Sequence, residues 1–152
     1  NTDVGAINSQ EQLDRIKVLV DSGKAEGAKC WQSGQKLPRK GLWFKPTIFT
    51  ECAQSHQIVQ KEIFGPVLAI QTFRTPEEAV EKANNTPYGL SGGVWTDKGS
   101  KIFKITSQIR AGVIWANTFN KFDPASPFGG YKESGLGREG GLQGLAPYLD
   151  LH

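Results

Sequence analysis

The sequence contains no methionine, only two cysteines and two histidines, and no long apolar run. A chain that begins at Asn1 without methionine is expected to be a piece of a longer polypeptide, and removal of an initiator methionine is the alternative. Because no apolar stretch approaches about 18 residues, no membrane span is predicted. With no signal-peptide pattern, an intracellular location is expected, cytoplasmic by preference, with mitochondria left open.

The few cysteines and histidines exclude a zinc finger and a disulfide framework. Cys30 and Cys52 form no CxxC pair, and neither His56 nor His152 completes a zinc spacing, so no metal site is predicted. Both cysteines are expected to be small buried apolar residues. Cys52 and His56 are four apart and could pair as nucleophile and base, but no group to orient the base is evident, so no catalytic role is assigned.

Charge gives no support for a polyanionic partner. The 18 basic and 15 acidic residues leave a net charge of +3, and like charges are dispersed along the chain. Nucleic acid and anionic membrane are therefore not expected partners. The 38% apolar content instead predicts a globular chain, and 152 residues suffice for one domain.

The first third of the sequence predicts a helix followed by strands. Ser9 can cap a helix over residues 9–21, with the Gln12 side chain reaching back in a capping box and Gly23 as the stop. A strand is predicted over residues 28–32. Residues 42–50 read as extended, and Pro46 favours an edge strand there.

The middle of the sequence alternates strands and helices. Strands are predicted at residues 67–73, 90–95 and 111–116, with a helix opened by Thr75, Pro76 and Glu78 and a second helix over 98–108. This order indicates an α/β layered domain with parallel pairing and right-handed crossovers. Ligands bind outside the carboxyl ends of such strands, so the loop after the last strand is a candidate pocket wall.

One segment combines an acid, an aromatic ring and a Gly-Pro break: residues 61–66, with the sequence KEIFGP. The Glu62 carboxylate can accept hydrogen bonds from two adjacent ribose hydroxyls, and Phe64 can pack against a flat ring. Gly65 permits close backbone approach and Pro66 stiffens the exit. A surface acid beside a core phenylalanine is the alternative.

A second segment follows the last predicted strand. Three phenylalanines lie near a strand end, in residues 117–122 (NTFNKF) and 126–132 (SPFGGYK). This pattern suits an apolar pocket mouth for a small organic substrate. An aromatic cluster that only plugs the sheet end is the alternative. Residues 135–140 spell GxGxxG, but after a loop near the chain end, so they are rejected as a phosphate cradle. Tight backbone packing is predicted around residues 132–135 instead.

Several short segments, in order along nearly the whole chain, resemble the NAD(P)-dependent aldehyde dehydrogenases. They are DVGAI at residues 3–7, QLDRI at 12–16, GLWFKPT at 41–47, KEIFGP at 61–66, NNTPYG at 84–89, Asn117, SPFGG at 126–130 and KESG at 132–135. The resemblance implies a three-layer α/β domain with a mostly parallel sheet, like the C-terminal, catalytic domain of that family.

The resemblance also implies a function and site residues. The family oxidises aldehydes to acids with NAD or NADP: a cysteine attacks the carbonyl, hydride passes to the nicotinamide, and water hydrolyses the thioester. By this resemblance the cofactor site includes Glu62 at the nicotinamide ribose, Phe64 near the nicotinamide, and Gln12 and Arg15 near the adenosine ribose. Matching positions in the aldehyde tunnel are Asn120, Phe122 and Phe128.

The family's catalytic cysteine, general-base glutamate and Rossmann part correspond to positions before Asn1, so residues 1–152 are expected to be a C-terminal portion of the catalytic domain. No catalytic residue is therefore predicted within the chain, and the chain alone is expected to be inactive. Its expected partners are an aldehyde, the remainder of the enzyme and further copies in a homo-oligomer. A non-catalytic module with a structural or association role is the alternative.

Overall fold

The computed structural model describes residues 3–150, which divide into two compact units. One unit runs to Thr72 and the other starts at Phe73. Helices and strands alternate in both, so the predicted α/β class is confirmed. The strand pairing is divided over three small sheets, two of which contain a parallel pair.

The first unit contains one three-stranded sheet and two helices. Its elements are α1 (Gln10–Ala25), β1 (Lys29–Gln32), β2 (Thr47–Thr50), α2 (Gln57–Gln60) and β3 (Val67–Ala69). Strand β2 lies between the other two, antiparallel to β1 and parallel to β3, with Thr47 opposite Val67.

Helix α1 begins as predicted and ends later. The Ser9 hydroxyl accepts a hydrogen bond from the Gln12 backbone amide at 3.1 Å. The buried stripe of the helix packs into the core of the unit; it consists of Leu13, Ile16, Leu19 and Val20. The predicted stop at Gly23 is wrong, because the helix continues to Ala25. A Cβ on Gly23 would lie 2.8 Å from Ile58 Cδ1, so this glycine lets α1 and α2 approach closely.

The prediction of an edge strand at Pro46 is also wrong. Strand β2 starts one residue later, at Thr47, and is the central strand of its sheet. Proline has no backbone N–H to donate, but Pro46 lies just outside β2, so no hydrogen bond within the sheet is lost. The Pro46 carbonyl accepts a hydrogen bond from Ser33 N at 3.1 Å. The predicted strand over residues 67–73 is shorter, ending at Ala69.

The second unit contains two two-stranded sheets. Its elements are α3 (Pro76–Asn84), β4 (Tyr88–Gly89), β5 (Ser91–Val94), α4 (Gly99–Thr106), β6 (Val113–Ala116), β7 (Tyr131–Lys132), α5 (Gly141–Leu145) and a 3-10 turn (Ala146–Tyr148). Strands β5 and β6 pair in parallel across the α4 connection, as predicted, but the pairing predicted between β3 and β5 is wrong, because β3 pairs with β2 instead. Strands β4 and β7 pair antiparallel.

The predicted start of α3 is confirmed except for one contact. The Thr75 hydroxyl accepts from Glu78 N at 3.2 Å, and Pro76 occupies the first turn. The Glu78 carboxylate, however, accepts from Arg74 N at 2.7 Å, one residue before the cap. No helix within residues 3–150 is long and apolar enough to cross a membrane.

Candidate functional site

The 61–66 loop lies against helix α1 through its backbone. Ile63 is buried in the core of the first unit. At Gly65 the chain passes so close to the helix that a Cβ would lie 2.5 Å from Ile16 Cδ1. On the far side of the loop, the Pro66 carbonyl accepts from Thr47 N at 2.9 Å, at the start of β2. The loop is thus fixed between α1 and the sheet.

The two residues with candidate roles in this loop are exposed. Phe64 is 71% exposed, so the alternative of a core phenylalanine is wrong. Glu62 is exposed as well, and none of the ion pairs found among the described residues involves it. Phe64 also has φ +56°, in the left-handed region that costs a non-glycine residue roughly 1–2 kcal/mol. Backbone strain of this kind is concentrated at functional sites.

Gln12 and Arg15 extend from α1 to the backbone of the same loop. Gln12 Nε2 donates to Ile63 O at 2.8 Å and to Phe64 O at 3.1 Å. Arg15 Nη2 donates to Glu62 O at 3.2 Å. The sequence predicted that the Gln12 side chain reaches back to the start of α1 in a capping box. In the structure its amide group instead donates to the 61–66 loop. The structure brings together all four predicted cofactor residues of the first unit.

The aromatic residues of the second unit form a connected cluster. Trp115, buried near the end of β6, contacts Phe119 and Phe122 edge to face, with ring centroids 5.1 and 5.5 Å apart. Phe122 in turn contacts Phe128 at 5.0 Å. Trp115 Nε1 also donates to Lys121 O at 3.2 Å. The cluster covers Trp115, as the plugging alternative requires, yet Phe122 remains 57% exposed and available to an apolar ligand.

Two asparagines shape the loop after β6. Asn117 Nδ2 donates to Thr96 O at 2.9 Å, and its Oδ1 accepts from Thr96 N at 2.8 Å. This pair of hydrogen bonds joins the chain just beyond β5 to the chain just beyond β6. Asn120 is exposed at φ +58°. The carboxyl end of β6 therefore leads into the loop that carries Asn120 and Phe122, at the edge of the sheet where ligands of parallel strands bind.

Tight packing is confirmed at Ser134, whose Cβ would lie 2.7 Å from a Cβ on Gly130, but not at Gly135 and Gly137, which have no heavy atom within 4 Å of their Cβ positions. Strand β7, which precedes residues 135–140, pairs antiparallel with β4, so this GxGxxG is not part of a parallel dinucleotide-binding unit. A Cβ on Gly112 would lie 1.7 Å from Gly129 O, which shows how closely the backbones approach. The Ser134 hydroxyl accepts from Gly89 N at 3.0 Å.

The two cysteines differ in exposure. Cys30 is exposed, so its predicted burial is wrong. Partial burial raises the pKa of the Cys52 thiol, against a smaller opposing effect of a backbone hydrogen bond at Ile70, and disfavours the reactive thiolate. His56 Nδ1 accepts from Ala53 N at 3.3 Å. Within residues 3–150 no group of three potential metal ligands occurs.

Two of the grooves in the described part of the second unit are shallow. One, of about 350 Å³, is lined by Phe128 together with Leu90, Ser134 and Arg138. The other, of about 560 Å³, lies beside α5 and is lined by residues such as Leu142, Leu145 and Tyr148. Asn120 and Phe122 line neither groove.

Sequence reasoning missed the hydrogen bonds from α1 to the loop and the backbone shape at Phe64. Asparagine tolerates positive φ, which is a usable signal for Asn117 and Asn120. Phenylalanine carries no such signal, and the spacing of Gln12 from Phe64 along the chain predicts no contact.

Similarity to known proteins identifies the family of this α/β chain. The sequence matches the aldehyde dehydrogenase family over residues 1–152, and the chain belongs to that family. It is 42% identical over 150 residues to human retinaldehyde dehydrogenase 3, covering 99% of this chain and 29% of that protein. It is 43% identical over 142 residues to an aldehyde dehydrogenase of Enchytraeus buchholzi, covering 93% and 29%.

Solved structures of family members have the same fold. Betaine aldehyde dehydrogenase from Staphylococcus aureus in complex with NAD+ is 39% identical, with a TM-score of 0.92 over 98% of this chain and 30% of that one. Indole-3-acetaldehyde dehydrogenase in complex with NAD+ is 38% identical, with a TM-score of 0.93 over 99% and 31%. The chain thus spans about 30% of the length of the relatives that it matches.

Proposed function

We propose that residues 1–152 are a C-terminal portion of the catalytic domain of an NAD(P)-dependent aldehyde dehydrogenase. The parent enzyme would oxidise an aldehyde to a carboxylic acid through a thioester on a cysteine, and another part of the protein would supply that cysteine. Membership of the family over the whole sequence supports this assignment. The observation that carries the chain's own role is the fixed loop on which both Glu62 and Phe64 are exposed.

The residues of this loop fit a nicotinamide cofactor. An ionised carboxylate is an acceptor only, and the unpaired Glu62 can accept from two ribose hydroxyls. The exposed Phe64 ring offers an apolar face beside the nicotinamide. When bound, the cofactor accepts hydride from the substrate. NAD is favoured because similar proteins have been solved with NAD+, and NADP is the alternative.

Gln12 and Arg15 are proposed to act at the adenosine ribose as well as at the loop. Arg15 has five donor hydrogens, of which the bond to Glu62 O uses one. The Gln12 Nε2 is occupied by two loop carbonyls, so its Oε1 is the atom available to a ribose hydroxyl. Each side chain can bind the loop and the ribose together, because it uses different atoms for the two contacts.

In the second unit, Asn120, Phe122 and Phe128 are proposed to line the aldehyde tunnel. The edge-to-face contact of the two phenylalanines gives this wall a fixed apolar surface, while Asn120 adds an amide that can bond a carbonyl oxygen. Further proposals for the parent enzyme are an intracellular location and a homo-oligomeric assembly.

The Glu62→Gln variant of the intact enzyme tests the cofactor role. The amide is a weaker acceptor than the carboxylate, and hydrogen bonds to charged groups contribute about 1.5–3 kcal/mol. We therefore expect single-turnover hydride transfer to slow by roughly tenfold to a hundredfold. Stopped-flow formation of NADH under saturating aldehyde measures this rate.

Glu11→Gln is the matched control, because Glu11 is an exposed acid in the first turn of α1, with no role in the proposed site. Its rate should equal that of the wild type. An unchanged rate in Glu62→Gln would overturn the proposed contact. Complete absence of aldehyde oxidation by the intact protein would instead favour the non-catalytic, association role.

A further inference from the structure

The left-handed backbone at Phe64 has no support from its own side chain, because the ring is exposed. Such a conformation persists in a bulky residue only where the surroundings determine it. Three neighbouring features fix the loop on either side: buried Ile63, Gly65 in contact with Ile16, and the Arg15 bond to the Glu62 carbonyl. None of these three acts directly on the Phe64 torsion angles.

Gln12 does act on them. Its single Nε2 donates to Ile63 O and to Phe64 O, the carbonyls immediately before and after those torsion angles. Successive carbonyls point to the same side in helical backbone of either hand and to opposite sides in a strand. One amide nitrogen can therefore bind both carbonyls only while the Phe64 backbone keeps a helical conformation. The φ of +56° makes that conformation left-handed.

We propose that Gln12 is a positioning residue that holds the Phe64 backbone and thereby places the Phe64 ring and the Glu62 carboxylate for the cofactor. This role rests on the proposed function and assigns to Gln12 an effect that it exerts through the loop. Without the shared donor, Phe64 relaxes towards extended backbone. The loop then presents its two exposed side chains in the wrong geometry.

The first test compares Gln12→Met with Gln10→Met in the intact enzyme. Methionine is similar in length to glutamine but donates no hydrogen bond. Gln10 is the matched control, because its Nε2 bonds only Asp14 Oδ1 on the same helix. The readouts are amide hydrogen exchange over residues 62–67 without cofactor, and the dissociation constant for NAD by calorimetry.

In Gln12→Met we expect exchange in the loop and the dissociation constant for NAD each to rise about fivefold to thirtyfold. The amide of Val67, which donates to Gly65 O at 2.7 Å, is one reporter of the loop. Gln10→Met should change neither quantity. Should Gln12→Met fail to fold, Gln12→Glu keeps the length, replaces the donor by an acceptor, and is expected to give the same two effects.

A second background tests the strain itself. Glycine adopts positive φ without steric cost, so in a Phe64→Gly protein the Gln12→Met change should speed loop exchange far less than in the wild type. An equal acceleration in both backgrounds would overturn the proposal.

Unchanged amide hydrogen exchange over residues 62–67 without cofactor in Gln12→Met would also overturn the positioning role. Gln12 would then act only as a direct ligand of the cofactor. Faster exchange with unchanged NAD affinity would overturn the positioning role too. Failure of the proposed function itself is read separately, from Glu62→Gln.

Discussion

At position 65 the chain passes helix α1 too closely to accept a side chain. The ideal Cβ would lie 2.5 Å from Ile16 Cδ1 and 2.8 Å from Ile16 Cγ1, and Ile16 is fully buried. Relief would require the isoleucine to leave its packed position or the loop to move outwards. The glycine therefore determines how near Glu62 and Phe64 lie to the helix.

The Gly65→Ala variant should lower the free energy of unfolding by about 1–3 kcal/mol, the usual cost of overpacking a core. Urea unfolding followed by tryptophan fluorescence measures it. Gly34→Ala is the control, because no heavy atom lies within 4 Å of its Cβ position. Its stability should stay the same or rise by up to about 1 kcal/mol. Equal losses in the two variants would contradict the contact.

Helices α3 and α4 are joined by an ion pair between elements. Lys104 Nζ lies 2.5 Å from Glu77 Oε1, and this hydrogen bond lowers the pKa of the Glu77 carboxyl below its ordinary 4.5. A hydrogen bond from Lys82 lowers the pKa of Glu78 in the same helix. Since these pKa values are lower in the folded state, the carboxylates stabilise the fold above pH 4.5, and the effect is lost as pH falls through the folded pKa values.

The Lys104→Met variant should therefore be less stable than the wild type at neutral pH and equally stable at acid pH. Both side chains are exposed, so the loss is small and shrinks further with added salt. Thermal unfolding across the acid range checks this dependence. Lys101→Met, on the same helix and outside these pairs, should show no such pH dependence. If Lys104→Met is still less stable than the wild type after Glu77 is protonated, the ion pair is not the cause of the lower stability.

Local signals predicted the starts of the elements better than their ends. The Ser9 and Thr75 caps were predicted because a hydroxyl three residues before a free amide acts within one turn. The end of α1 was not, because the helix is ended by Gly27, at φ +92°, and not by Gly23, whose carbonyl instead accepts from Ala28 N at 3.0 Å. The side chains of the candidate site were predicted from the family resemblance. The backbone that presents them was not, since the Gln12 contact with Phe64 spans 52 positions.

As a whole, the chain is about 30% of the length of its relatives, and burial raises the pKa of its Cys52 thiol, which disfavours a nucleophilic thiolate there. We predict that a preparation of residues 1–152 forms no NADH from aldehyde and NAD. Absorbance at the NADH band, with the intact enzyme as positive control and circular dichroism to confirm helices and strands, is the measurement. Turnover by the 152-residue chain would contradict the prediction.

The order of the first sheet has a practical consequence for such a preparation. Strands β1 and β3 are both edges, and each carries an exposed apolar side chain, Trp31 and Leu68. Strand β1 also carries Lys29, a charge of the kind that discourages pairing between molecules, whereas β3 has none. Self-association through β3 is therefore the expected route to aggregation, and dilute conditions or a lysine at position 68 would keep the isolated chain in solution.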